Sequence, residues 1–173
     1  MPDDLLKTDC TQCAALCCLA LTFDKGPDFA FDKNPGEPCR HLSGHLCAIH
    51  DELPRKGMAG CVAYDCLGSG NRVVAEVFAG RSWREEPRLT RPMMEAFAAM
   101  REVHKRIDLL RVLAGLELSP ETEATRRAFL DRLEAPGWSG EALNEFEAGL
   151  ALEIDIFAYG AAQGTELADK ISF

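Results

Sequence analysis

The chain has 173 residues, 47% apolar and 27% charged, enough for one domain or two small ones with a buried core. A net charge of −9 and a pI near 4.9 argue against nucleic acid as the main partner, because phosphate binding needs a basic surface, and against docking on anionic lipid. No run approaches the roughly 18 apolar residues of a membrane span, and the acidic opening MPDDLLKTDC lacks a signal-peptide core, so a cytoplasmic protein with reduced thiols is expected.

The first stretch of note is CTQCAALCC, with Cys10, Cys13, Cys17 and Cys18 in nine residues. Two geometries fit it. One is a C-x2-C knuckle followed by helix, the recurring corner of zinc sites. The other is helix throughout, which would put Cys10, Cys13 and Cys17 on one face. Adjacent side chains diverge, so Cys17 and Cys18 are expected to serve different metals or different roles. DKGPDFAFDKNPGEP then reads as loop with a short strand at Phe29–Phe31. CRHLSGHLCAIH interleaves Cys39 and Cys47 with His41, His45 and His50, and Cys61 and Cys66 close the set.

Residues 67–87 read as a connector, with a short strand or helical turn over 73–78. The GSG at 68–70 lacks the spacing of a phosphate loop. Three amphipathic helices are expected beyond it. Thr90 and Pro92 open the first, whose inward face is Met93, Phe97, Met100, Val103, Ile107, Leu110 and Ala114, with Gly115 at its end. At this spacing the methionines are core rather than copper ligands. Ser119 and Pro120 open the second, with Phe129, Leu130 and Leu133 inward and Pro136-Gly137 as the break. Ser139 caps the third, carrying Leu143, Phe146, Leu150, Ile154 and Phe157, with Gly160 and Gly164 as its end and TELADKISF as a tail. The expected fold is mainly α: a small, irregular, metal-stapled cysteine module with its connector over 1–87, and a three-helix region over 88–173.

All eight cysteines fall between Cys10 and Cys66, with three of the four histidines. A chain that used cysteine as a small hydrophobe would scatter it. In a reducing compartment, density of this kind points to metal or catalysis before disulfides. The metal-ligand set is therefore Cys10, Cys13, Cys17, Cys18, Cys39, Cys47, Cys61 and Cys66. His41, His45, His50 and Asp65 are extra ligands or hydrogen-bond partners of the ligands. Lys25, Lys33, Arg40 and Lys56 are available to offset thiolate charge, and His104 is structural.

These cysteines carry a resemblance. In CTQCAALCC, PCRHL, CAIHDELP, GC at 60–61 and YDC at 64–66, the sequence resembles the bacterial YkgJ-like cysteine-cluster proteins, whose pattern opens with CxxCxxCC and holds eight cysteines. It departs from them in the extra residue between Cys13 and Cys17, in His50 where tyrosine is usual, and in the long gap from Pro54 to Cys61. The resemblance implies a zinc- or iron-chelating domain over about residues 10–66.

Function follows as a metal-binding protein whose metal is structural or electron-carrying, zinc ahead of iron or an iron–sulfur cluster. One alternative is an iron–sulfur or metal-dependent enzyme acting on another protein or in redox chemistry. The other is copper(I) or metal homeostasis. No acid, base or substrate pocket is singled out. Expected partners are a metal ion and a protein docking on the helical region, with neither nucleic acid nor membrane.

Overall fold

A computed structural model describes residues 5–163. Helix takes 58% and strand 4%, so the protein is mainly α with a small irregular N-terminal region. The opening cysteines are not one helix. Cys10–Gln12 form a single 3-10 turn, capped by the Asp9 side chain on the Thr11 amide. Cys13 is extended, Ala15 is left-handed at φ 55°, and only then does α1 (Leu16–Ala20) begin. The Trp83 indole N–H donates to the Ala14 carbonyl at 2.7 Å, occupying an acceptor that a continuous helix would give to its own backbone. Leu16 and Leu19 are fully buried.

Between α1 and residue 63 the chain is mostly loop. Phe29–Phe31 do not form the expected strand. They lie in the bend of a longer excursion closed by an isolated antiparallel bridge, Phe23 to Lys33. There the three phenylalanines satisfy one another: Phe23 stacks on Phe29 with centroids 4.2 Å apart, and Phe31 meets Phe23 edge-on. A two-stranded hairpin follows, β1 (Leu42–Ser43) on β2 (Leu46–Cys47), with Leu42 opposite Cys47. Next come two 3-10 turns, His50–Glu52 and Pro54–Lys56, and the short helix α2 (Ala59–Ala63). Phe31, Leu53 and Met58 make a small core of their own here.

The connector is helical. α3 (Ser69–Arg72) runs into a π turn, Val73–Val77. The three expected helices follow. α4 (Thr90–Leu113) buries Met93, Phe97, Met100, Val103, Ile107 and Leu110 as its spacing requires, and ends its buried face at Leu113, while Ala114 is exposed. α5 (Pro120–Glu134) starts on the Ser119 hydroxyl, which accepts from the Thr122 amide. The third run is α6 (Gly140–Glu145), a π turn at Phe146–Leu150 and α7 (Ala151–Ala162). Gly160 does not stop it. A glycine costs a helix about 1 kcal/mol, and Ala158 and Ala162, both fully buried, hold the last turn down. Gly164 and the tail lie outside the described residues.

The main core draws on both stretches of the chain. Leu16, Leu19, Cys66, Val73 and Trp83 pack with the buried faces of α4 to α7. Two buried arginines close helix ends by donating to carbonyls that have no intrahelical partner. Arg126 donates to the Leu110 carbonyl at 2.9 Å, and Arg72 to those of Leu133 and Ala135. α4 thus forms the wall on which the cysteine region is mounted.

Candidate metal centre

Four separate pieces of chain deliver the thiols. The 3-10 turn and the extended residue after it bring Cys10 and Cys13. α1 brings Cys17 and Cys18. The loop and hairpin bring Cys39 and Cys47, and α2 with its exit brings Cys61 and Cys66. A backbone bond ties two of these pieces together: the Cys39 amide donates to the Cys18 carbonyl at 3.0 Å. All eight cysteines are free thiols.

A thiolate at Cys17 would disfavour ionisation of Cys10, Cys13, Cys47 and Cys61, which stand near it. Burial pushes the Cys13 thiol up to about 12 and Cys61 up to about 11, and it raises Cys10 and Cys47 as well. Cys17 is raised furthest, first by a side-chain hydrogen bond with Cys18, then by burial. Each of these thiols is therefore held neutral by its surroundings and by its neighbours.

The sulfurs are closely seated. A Cβ placed on Gly70 would stand 2.6 Å from the Cys13 Sγ, so only glycine leaves room for that sulfur against α3. A Cβ on Gly60 would stand 2.2 Å from the Phe29 ring, so Phe29 folds directly over the start of α2 beside Cys61. Cys66 is buried, and its Sγ lies 3.2 Å from the Thr8 hydroxyl. That hydroxyl donates to Asp65 at 2.8 Å and accepts from the Gly68 amide. Asp65 therefore reaches Cys66 through Thr8, a residue that sequence reasoning did not single out.

Of the four cations available to offset charge, one is buried at the site. Lys33 is 5% exposed, and its ammonium donates to the carbonyls of Leu19, Leu21 and Asn34. Burial lowers its pKa, against the opposing pull of Cys39, Cys18 and Cys17 close by. Arg40 instead stacks on Phe31 at 3.8 Å. Lys25 and Lys56 are exposed, Lys56 being paired with Glu52.

The histidines stand apart. The His50 side chain is 70% exposed and beside Asp51. The His45 Nε2 is 2.9 Å from the Ser82 hydroxyl, and His41 packs edge-on to Phe31. His104 is fully buried in α4, with its Nδ1–H donated to the Leu67 carbonyl at 2.5 Å, in the structural role expected of it.

A shallow cleft of about 430 Å³ opens beside α1, between Leu21, Tyr64, Phe97 and Arg101. The Tyr64 hydroxyl and the Arg101 Nε are buried there without a hydrogen-bond partner, and the guanidinium lies 4.7 Å over the Tyr64 ring.

Among the described residues, no three His, Cys, Asp or Glu side chains stand as a ready-made ligand group. The donor types are nonetheless those of a thiolate-bound metal: eight free thiols, four of them near enough to Cys17 to respond to its charge, and the buried Lys33 ammonium near Cys39, Cys18 and Cys17.

No family model matches the chain, and no solved structure does. It is similar to the uncharacterized protein YybG of Bacillus subtilis (strain 168), 36% identical over 130 residues, or 75% of this chain and 47% of the relative. The chain thus spans about half the length of the curated relative it matches.

Proposed function

We propose that the protein binds metal through its eight cysteines, as the resemblance to the YkgJ-like cysteine-cluster proteins implies. The observation that supports this reading is that four pieces of chain deliver eight free thiols, with Cys10, Cys13, Cys47 and Cys61 near enough to Cys17 to respond to its charge. Gathering so many half-buried thiols in one region gains little for a core that could use valine or leucine. Thiolate ligation explains the expense, because each sulfur gives up its proton as it binds a cation.

Zinc is preferred to iron or an iron–sulfur cluster. Turn-borne thiolates that close a tetrahedral shell suit zinc and need no redox partner. When bound, such a metal supplies a structural clamp or, if iron, an electron-carrying centre. The chain's own part is to bring the sulfurs together, bury them, and hold the Lys33 charge against them. α4 to α7 are the scaffold for that task. Thiols at this density are in keeping with a reducing compartment, and the cytoplasm is the location that goes with this reading. No helix of the described residues is long and apolar enough to cross a membrane.

The test is elemental analysis of protein purified without oxygen. We expect metal bound in stoichiometric amount, with fewer reactive thiols than eight. Protein without metal, and with all eight thiols titratable, overturns the reading. A colourless zinc protein favours the clamp; a brown one favours iron–sulfur.

A second reading, a metal-dependent or redox enzyme, draws on the cleft beside α1. The unpartnered Tyr64 hydroxyl and Arg101 Nε line it, and Tyr64 feels the charge of Cys17 and Cys66. A Tyr64→Phe variant that keeps its metal but loses a redox or transfer activity would favour it. Copper(I) homeostasis ranks third, and metal that passes readily to a copper(I) chelator would raise it.

A further inference from the structure

The cleft beside α1 lies where the cysteine region meets the helical scaffold. Leu21 enters it from the end of α1, Tyr64 from the exit of α2, and Met94, Phe97 and Arg101 from α4. The π turn at Phe146–Leu150 adds Glu147. Turns of this kind inside helices occur often at functional sites.

Arg101 is out of keeping with the other arginines. Most of them pair with a carboxylate. Arg101 has neither an ion pair nor a hydrogen bond among the described residues, and its Nε is buried. Acids are not lacking. Glu95, Glu102 and Glu147 line the same cleft, but Glu95 is paired with Arg91, and Glu102 with Lys105 and Arg106. The Tyr64 ring, 4.7 Å from the guanidinium, fixes its position without neutralising its charge. A guanidinium keeps that charge at any ordinary pH, and half-burying it without a counter-ion costs free energy. Its two terminal nitrogens are not closed off as Nε is, so an acceptor can reach them from the cleft.

We propose that this cleft binds a small carboxylate with an apolar body. The carboxylate takes the two terminal nitrogens of Arg101 in the parallel pair of bonds that suits a guanidinium. The apolar body lies against Leu21, Met94 and Phe97. One guanidinium offsets one negative charge, and the three glutamates of the cleft repel a second, which favours a carboxylate over a phosphate dianion. The volume, about 430 Å³, is within the range of small-molecule sites. No thiol lines the cleft, so the site is independent of the metal-binding reading.

Equilibrium dialysis of the full chain tests this with phenylacetate, its neutral amide phenylacetamide, and phenylphosphonate above neutral pH. We expect one equivalent of phenylacetate to bind. The amide should bind roughly tenfold or more weakly, the loss that goes with one charged hydrogen-bonded pair, and the phosphonate should also bind less well than phenylacetate. Arg101→Met keeps the apolar stem and should bring the affinity for phenylacetate down to that of the amide. Ala98→Glu, at an exposed position of α4, gives Arg101 an internal partner one helical turn away and should do the same. Equal affinity for acid and amide, or tighter binding of the phosphonate, overturns the choice of ligand. Phenylacetate binding undiminished in a folded variant overturns the site, and no uptake of phenylacetate at millimolar concentration overturns the proposal. If Arg101→Met does not fold, Ala98→Glu decides. None of these results bears on whether the cysteines hold metal, which elemental analysis answers separately.

Discussion

Gly70 and Lys33 show what a single position contributes to this site. A methyl group at 70 would meet the Cys13 sulfur at 2.6 Å. Gly70→Ala should therefore destabilise the protein by roughly 1–3 kcal/mol, the usual cost of overpacking, and weaken metal uptake. Urea unfolding and competition with a chelator measure the two effects. Gly160→Ala is the control. Its Cβ would meet nothing within 4 Å on an exposed helical turn, so it should stabilise by about 0.5–1 kcal/mol. Lys33→Met removes an ammonium that serves three carbonyls and should cost roughly 1–3 kcal/mol in the metal-free protein, by the same urea measurement. A variant as stable as the parent would show that those carbonyls have other partners. The sequence could name Lys33 only as one of four cations, because nothing local distinguishes the one that the bridge from Phe23 carries inward. Gly70 sat in a GSG with no phosphate-loop spacing, and its use, room for a sulfur 57 residues away, is purely tertiary.

At the scale of elements, α4 joins the two regions through His104. Its Nδ1–H is committed to the Leu67 carbonyl, while the buried Nε2 has no partner. A second proton would have no acceptor among the described residues, and burial lowers its pKa from 6.5 to about 4. A folded-state value below the unfolded one gives stability that is full above pH 6.5 and lost as pH falls toward 4. The loss is about 3 kcal/mol at 1.36 kcal/mol per unit. Thermal melts of the parent should fall steeply over that window, and those of His104→Gln should be flatter; parallel curves would refute the assignment. Glu123, held at about 2 by hydrogen bonds from Arg126 and Arg127, acts in the same direction further down the pH scale. The long helices were readable from sequence, since periodic apolar residues and the caps at Ser119 and Ser139 are local signals. The opening was not, because the break at Ala15 depends on Trp83, far along the chain. Of the two geometries that CTQCAALCC allowed, the turn followed by helix is the one formed.

The whole molecule has one large core and one small one, and they differ in what holds them. The large core joins the N-terminal helix, the connector and α4 to α7. The small one has three buried residues, too few to fix some forty residues of loop without ligation. Chelating the metal should therefore abolish amide-exchange protection over residues 22–61 first, while α4 and α5 stay protected. Simultaneous loss everywhere would mean that the cysteine region and the helices fold as one unit. Sequence composition marked the cysteine region well but could not show that α1 and Cys66 belong to the helical core. Their burial is set by α4, which lies beyond the last cysteine.

The bond between Trp83 and the Ala14 carbonyl gives the protein an optical gauge of its own. The chain has two tryptophans, and the indole of Trp83 grips the residue immediately after Cys13, while Trp138 lies against Arg72 and Phe146 at the far end of α3. Any movement of the Cys10–Cys13 turn will alter the first emission and leave the second as an internal reference. Occupancy of the cysteine region can then be followed by fluorescence, with no label attached.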